Sequence, residues 1–155
     1  LYKKVASQTQ LASADPSNGR LVYQRVCAAC HVLYDEGGKI GPELTGSNRA
    51  DLDYLLLNII DPSGDIADAY KLVTITKKDG QVMVGTIAEE DDAKVVLRMI
   101  GQEATTILKS DIRSRDTSPV SMMPEGLLQT LTQPEVLDLF RYMQTTEQVP
   151  LPKPN

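Results

Sequence analysis

The chain has 155 residues, with 16 lysine and arginine residues against 21 aspartate and glutamate residues, a net charge of -5 and a pI near 4.9. This length suits a single domain that buries a core without disulfide bonds. The acidic balance argues against a nucleic-acid partner, because phosphate binding requires an excess of basic residues. No apolar run approaches the roughly 18 residues that span a bilayer, so we predict no transmembrane segment in this chain.

The first residues of the chain lack a sustained hydrophobic period, which predicts a tail or linker over residues 1–14. Because the chain starts at Leu1 and not at a methionine, we expect a trimmed product whose targeting segment is already gone. Asp15-Pro16 then provides an N-cap and a first-turn proline, and apolar residues recur at spacings of three and four. This pattern predicts a helix that ends near His31.

Helix-breaking residues and a helix-capping residue mark the next two segments. Five glycine and proline residues between positions 32 and 46 predict a loop. Asp51 is placed to cap a second helix, whose apolar face runs to Ile60 and which Pro62 ends.

The pattern changes from helical to alternating between residues 70 and 112. Four segments rich in β-branched residues are separated by turn residues, among them Asp79-Gly80, which is typical of a two-residue hairpin. We predict a four-stranded antiparallel meander there. A capping box followed by apolar residues at i, i+3, i+4 and i+7 predicts a last helix that ends near Thr146. Residues 148–155 are predicted to be an irregular tail, which leaves one domain over residues 15–147.

Both cysteines and the only histidine of the chain lie within five consecutive residues, as Cys-Ala-Ala-Cys-His at positions 27–31. Residues three apart on a helical turn share a face, so Cys27 and Cys30 can each form a thioether with one of the two vinyl groups of a haem. The adjacent His31 is then placed to ligate the iron. The motif predicts covalent attachment of one haem c.

Two other kinds of site use a Cys-x-x-Cys pair. A thiol–disulfide redox centre expects a strand before the cysteine helix, and the sequence predicts none ahead of Asp15. A structural zinc site needs four ligands, and the chain has no further cysteine or histidine to complete the common tetrahedral set. The haem interpretation is therefore favoured over both.

The second axial ligand has to be a residue other than histidine, and methionine is the leading candidate over lysine, tyrosine, water or an open position. Three methionines fall in predicted strands or on the packed face of the last helix, where methionine fills gaps in a core: Met83, Met99 and Met143. Met122 and Met123 lie in a loop before Pro124. Because a proline restrains the residue before it to an extended backbone, we predict Met123 as the ligand and Met122 as a packing residue of the haem site.

In the order of its motifs the chain resembles the class I c-type cytochromes, with CAACH near the start, Gly41-Pro42 after it and Met123-Pro124 before a terminal helix. The resemblance implies that the Pro42 carbonyl accepts a hydrogen bond from Nδ1 of His31, and that Leu44 lies against the haem. It also implies that the first and last helices pack together through one glycine and three aromatic residues, which are Gly19, Tyr23, Phe140 and Tyr142.

The fold implied by this resemblance is a mainly α class I cytochrome c fold in which residues 70–112 are inserted as a small antiparallel β meander, α+β overall. With that strand block, the chain looks more like the haem-binding domain appended to large bacterial membrane-associated dehydrogenases. This similarity implies a domain that passes electrons out of the dehydrogenase and lies outside the cytoplasm, in the periplasm. Anchoring of the protein to a membrane through a preceding segment is an alternative. The expected partners are redox proteins or a fused dehydrogenase domain.

Together these patterns predict a single-haem electron-transfer protein, not an enzyme, with His31 and Met123 as axial ligands. Four residues are candidates to hold the haem propionates, and their spacing does not choose among them: Arg49, Tyr54, Lys71 and Arg98. Two alternatives stay open. An open iron position would suit a peroxidase or a small-gas binder, and an exposed edge of the sheet would suit a haem-based sensory or docking module.

Overall fold

The structure, a computed structural model, describes residues 7–154. In this range there are four α-helices, namely α1 (Gln8–Ala12), α2 (Pro16–Val26), α3 (Leu52–Ile60) and α4 (Gln133–Met143). The strands are β1 (Val32–Leu33), β2 (Glu36–Gly37), β3 (Val73–Lys77), β4 (Val82–Glu90), β5 (Lys94–Arg98), β6 (Thr105–Leu108) and β7 (Ile112–Thr117). Short 3-10 turns span Asp68–Tyr70, Lys109–Asp111 and Leu127–Thr130. Among the described helices, none has the length and apolar character needed to cross a membrane.

The predicted mainly α class I cytochrome c fold is wrong. The described chain is α+β, because it contains a five-stranded antiparallel sheet and its four helices are short, with 11 residues or fewer. Six buried residues give the sheet an apolar core separate from that of the helices: Val73, Ile75, Met83, Val95, Leu97 and Ile107. The strand block is therefore a major part of the fold with its own core, and not a small insertion into a helical protein.

The five-stranded sheet has the strand order β6-β5-β4-β3-β7, and all neighbouring strands are antiparallel. Strands β3 to β6 match the predicted meander, and the Asp79-Gly80 turn joins β3 to β4 with Gly80 at a φ of 90°. The sequence pattern does not predict β7, because its residues are mostly polar and exposed and show no alternation. β7 pairs with β3 and extends the sheet beyond the meander.

A two-stranded hairpin lies in the segment predicted to be a loop. Strands β1 and β2 contain two residues each and pair in an antiparallel register. Tyr34 and Asp35 join them at φ values of 52° and 65°, the positive angles that a tight two-residue turn requires. Leu33 in β1 is fully buried, so the hairpin is tied to the helical core directly after the CAACH motif.

Capping side chains start the three longer helices where the sequence predicts them. Asp15 and Asp51 each accept two backbone N–H groups of the first turn, and Thr132 forms a capping box with Glu135. The ends differ from the prediction. Helix α2 ends at Val26, before the CAACH motif, and α4 ends at Met143.

Helices α2 and α4 pack directly against each other at the centre of the helical core. The ring centroids of Tyr23 and Tyr142 lie 5.5 Å apart, and Phe140 is fully buried beside them. The Asp138 carboxylate of α4 accepts a hydrogen bond of 2.6 Å from the Asn18 side chain of α2. The contact expected between the first and last predicted helices is confirmed.

Gly19 sets how closely these two helices approach. A Cβ at this position would lie 1.9 Å from the Asp138 carbonyl oxygen and 2.7 Å from Cβ of Tyr142. We expect Gly19→Ala to lower the free energy of unfolding by about 3 kcal/mol, because the backbone clash outweighs the gain of about 1 kcal/mol that alanine brings to a helix. Urea unfolding followed by circular dichroism measures the loss. Gly46→Ala is the control, since a Cβ there meets nothing within 4 Å; equal stability of the two variants would contradict the prediction.

The predicted N-terminal tail contains helix α1. Ser7 begins this helix with a capping box formed with Gln10, and Leu11 is buried in the same core as α2 and α4. These residues therefore contribute to the core, which the weak hydrophobic pattern of this segment does not predict. Residues 1–6 and 155, which belong to the two predicted tails, lie outside the described residues.

Candidate functional site

The CAACH motif forms a hydrogen-bonded turn directly after α2. The Cys27 carbonyl accepts the N–H groups of Cys30 and His31 at 3.1 and 3.0 Å, which continues the helical sense for one turn beyond Val26. Both cysteine side chains are partly exposed and neither is in a disulfide. The turn therefore presents two thiols three residues apart, followed at once by an imidazole.

A glycine-rich loop wraps this turn. Cβ atoms placed on Gly37 and Gly38 would lie 1.9 Å from the His31 carbonyl oxygen and 2.1 Å from the Ala29 carbonyl oxygen, and Gly37 has a φ of 127°. The Gly38 N–H donates to the Ala28 carbonyl at 2.8 Å. Only glycine allows the chain to pass this closely to the backbone of the motif. In the sequence these glycines indicate only a loop, because their packing against the backbone of the motif has no local pattern.

The imidazole of His31 is held at one edge by the same loop. Its Nδ1 lies 2.8 Å from the Pro42 carbonyl oxygen, so the hydrogen bond expected between these residues is present. Because a carbonyl only accepts, Nδ1 carries the proton in this contact and Nε2 keeps its lone pair. Gly41 makes the approach possible, since a Cβ there would lie 2.9 Å from Cε1 of His31. The buried Tyr23 donates to the His31 carbonyl at 2.8 Å and holds the backbone.

Burial shifts the pKa of all three motif side chains. It lowers the pKa of His31, against the opposing effect of the Pro42 hydrogen bond, and so favours a neutral imidazole that can act as a ligand. Burial, with a smaller repulsion from Cys30, raises the pKa of Cys27 to about 12, and burial also raises that of Cys30. A thiol–disulfide redox centre works through a lowered thiol pKa, and burial moves the pKa of both thiols in the opposite direction.

Leu44 follows the glycine loop and packs, partly buried, against the helical core. Its N–H donates to the Val32 carbonyl at 2.8 Å, which fixes the loop against β1. The structure therefore brings together five of the predicted site residues in one cluster formed by the CAACH turn and the loop that follows it: Cys27, Cys30, His31, Pro42 and Leu44.

Arg49, which follows the glycine loop, is buried, with 7% of its surface exposed. Its guanidinium donates to four carbonyl oxygens and one hydroxyl, those of Leu44, Thr45, Met143, Thr145 and Tyr34, and lies 5.1 Å from the Tyr34 ring centroid. These partners lie on both the loop and the end of α4. With its donors directed at protein oxygens, Arg49 is not placed to bind a propionate.

The other propionate candidates lie in different surroundings. Lys71 pairs with Asp68 at 2.7 Å, and Arg98 donates to the Ile87 carbonyl and lies 5.8 Å from the Tyr70 ring centroid. Tyr54 is exposed on α3. The structure does not single out one of them.

The two candidate methionines lie in a separate loop between β7 and α4. The Ser121 N–H donates to Oγ of Ser63 at 3.0 Å, and the Met123 N–H donates to Oγ of Ser121 at 3.1 Å, so this loop is anchored to the chain just after α3. Both methionines are partly buried. Met122 lines a cavity of about 490 Å³ with residues of β4 and of the turn that follows β5. The hydrogen bonds of this loop do not reach the CAACH cluster.

Apolar surface lies between α3 and the methionine loop. A second cavity of about 320 Å³ is lined by Ile59, Ile60 and residues 125–129, which follow Pro124. Leu57 of α3 is 65% exposed and Ile60 is 46% exposed. This surface is adjacent in the chain to Met123.

No protein-family model and no curated protein matches this chain. Among residues 7–154, no three or more histidine, cysteine, aspartate or glutamate side chains form a group that could hold a metal ion. The case for a function therefore rests on the geometry of the CAACH cluster.

Proposed function

We propose that this protein carries electrons through a single haem c, attached at Cys27 and Cys30 and ligated by His31 and Met123. The observation that carries the proposal is the arrangement of the only histidine, which directly follows the Cys-x-x-Cys turn and has Nδ1 hydrogen-bonded to Pro42 at 2.8 Å. This bond leaves Nε2 to act as a ligand and fixes the orientation of the ring. Carrying an electron transforms no substrate, so the chain is proposed not to be an enzyme.

The proposed role of each site residue follows from the chemistry of its side chain. The Cys27 and Cys30 thiols each add across one vinyl double bond, sulfur to one carbon and hydrogen to the other, so the attachment consumes no oxidant. The His31 imidazole supplies nitrogen and the Met123 thioether supplies sulfur. When bound, the haem supplies an iron that gains and loses one electron. Leu44 and the exposed apolar residues of α3 offer surface of the kind a porphyrin buries.

The proposed setting follows from the attachment chemistry. Cysteines consumed by thioethers suit an oxidising compartment, and the resemblance described above points to the bacterial periplasm. We propose a redox protein or a fused dehydrogenase domain as the electron donor.

Expression with a haem c maturation system tests the proposal directly. We expect a coloured protein whose absorption changes on reduction and whose haem stays with the chain on a denaturing gel. A Cys27→Ala, Cys30→Ala double variant should lose all gel-retained haem, because no thioether remains. A wild-type protein that leaves the maturation system colourless, with two titratable thiols, would contradict the proposal.

A further inference from the structure

We propose that Thr86 in β4 is a positioning residue for the His31 imidazole and acts through the backbone of Ile40 and Pro42. This inference rests on the proposed haem ligation by His31. It assigns the sheet a part in tuning the haem site, through a contact between residues 46 positions apart in the chain.

Thr86 joins the sheet to the loop that holds the imidazole. Its side chain is 1% exposed, and its hydroxyl donates to the Ile40 carbonyl at 3.2 Å in a buried contact. Side chains alternate along a strand, so Thr86 lies on the face of β4 opposite to Met83 and Ile87, which pack in the core of the sheet. A buried hydroxyl requires a partner, and here the partner belongs to the loop.

The peptide between Ile40 and Gly41 is held at both of its polar groups. Thr86 binds its carbonyl oxygen, and its N–H, that of Gly41, donates to the Cys30 carbonyl at 2.7 Å. Because a peptide group is planar, two such bonds fix its orientation. The imidazole lies against this peptide, since a Cβ on Gly41 would lie 2.9 Å from Cε1 of His31.

The second carbonyl after that of Ile40, which belongs to Pro42, is the one that binds the imidazole. The Pro42 oxygen lies 2.8 Å from Nδ1 of His31, two peptide units after the one that Thr86 holds, and the proline ring restricts the rotation between them. Removing the Thr86 hydroxyl leaves the Ile40–Gly41 peptide held at its N–H alone, so its orientation is less fixed and the Nδ1–H···O bond weakens. A weaker bond makes the imidazole a less basic ligand, which stabilises ferric iron less and raises the reduction potential.

The test compares Thr86→Val, which removes the hydroxyl, with Thr86→Ser, which keeps it. Thr74→Val, on the neighbouring strand β3, controls for an added valine in this sheet. We expect Thr86→Val to speed amide hydrogen exchange at Gly41 at least tenfold. We also expect it to change the oxidised–reduced equilibrium at least threefold towards the reduced state, about 28 mV at 59 mV per tenfold. Thr86→Ser and Thr74→Val should behave as the wild type in both measurements.

Wild-type exchange and potential in a folded Thr86→Val protein would overturn the inference. If that variant does not fold, amide hydrogen exchange of the wild type at low urea tests the inference instead. We expect the Gly41 and β4 amides to become exposed in the same opening event. Independent opening of these amides would overturn the inference. The exchange measurement needs no haem. A colourless wild type would therefore reject the proposed function, whereas unchanged exchange would reject the role of Thr86.

Discussion

Replacing Met123 with alanine should lower the reduction potential of the haem-loaded protein by on the order of 0.1 V or more, whereas Met122→Ala should leave it almost unchanged. A thioether favours ferrous iron more than a nitrogen or water ligand does, and axial ligands spread haem potentials over roughly 0.8 V. The loss of the proposed ligand is therefore the largest functional change expected from a single substitution outside the CAACH motif.

The two methionines form a matched pair because they are adjacent, partly buried and identical in side chain. They differ in surroundings. Met122 lines the cavity beside β4 and the turn that follows β5, so its truncation removes packing. Met123 has its N–H bound by Oγ of Ser121 and its backbone restrained by Pro124. Comparing the two separates ligation from a general loss of packing in the loop.

Redox titration followed by absorption gives the potentials, and the weak far-red band of a thioether bound to ferric iron reports the ligand itself. We expect this band in the wild type and in Met122→Ala, and its loss in Met123→Ala. The reverse pattern would assign ligation to Met122. If neither substitution changes the band or the potential, methionine ligation is rejected, and peroxide turnover becomes the measurement that tests an open iron position.

Elements encoded by neighbouring residues could be predicted from the sequence. The caps at Asp15 and Asp51, the capping box at Thr132 and the Asp79-Gly80 turn each depend on a few adjacent residues, and all are present. Strand β7 depends on a different kind of information. β7 forms because the edge of β3 offers hydrogen bonds to a polar segment about 40 residues later in the chain. No local sequence pattern predicts that pairing.

The fold class was mispredicted for a related reason. The CAACH, Gly-Pro and Met-Pro motifs are short, and they specify chemistry at a few positions without specifying how much of the remaining chain is helical. The strand block was predicted as an addition to a helical protein, yet it has a core of its own. The turn formed by Cys27, Cys30 and His31 could be predicted because these residues are close in sequence, whereas the β1-β2 hairpin and the glycine packing that follow it have no local pattern.

Arg49 illustrates the part of the site that sequence patterns do not encode. Its charge and position in a loop favour an exposed residue or a propionate ligand. Its actual partners include carbonyl oxygens of Leu44 and Thr45 and, almost 100 residues away, those of Met143 and Thr145. A buried arginine of this kind is determined by the tertiary contact between the loop and the end of α4.

We expect Arg49→Met to lower the free energy of unfolding by about 4 kcal/mol. The substitution keeps much of the apolar stem but leaves several buried carbonyl oxygens without a donor, and each lost bond to a charged group costs about 1 kcal/mol or more. The end of α4 also loses a cation that its aligned carbonyls favour. Arg49→Lys should lose most of the same stability, because one ammonium group cannot reach acceptors on both segments.

Arg98→Met is the matched control, since Arg98 is partly buried, donates to one carbonyl at 3.3 Å and lies 5.8 Å from the Tyr70 ring centroid. Its loss should cost about 1 kcal/mol. Urea unfolding followed by circular dichroism compares the three variants, with stability taken from the midpoints at a common slope. Equal losses of stability for Arg49→Met and Arg98→Met would show that the several hydrogen bonds of Arg49 stabilise the fold no more than the single one of Arg98. Full retention of stability in Arg49→Lys would show that charge, and not the forked hydrogen bonding, joins the loop to α4.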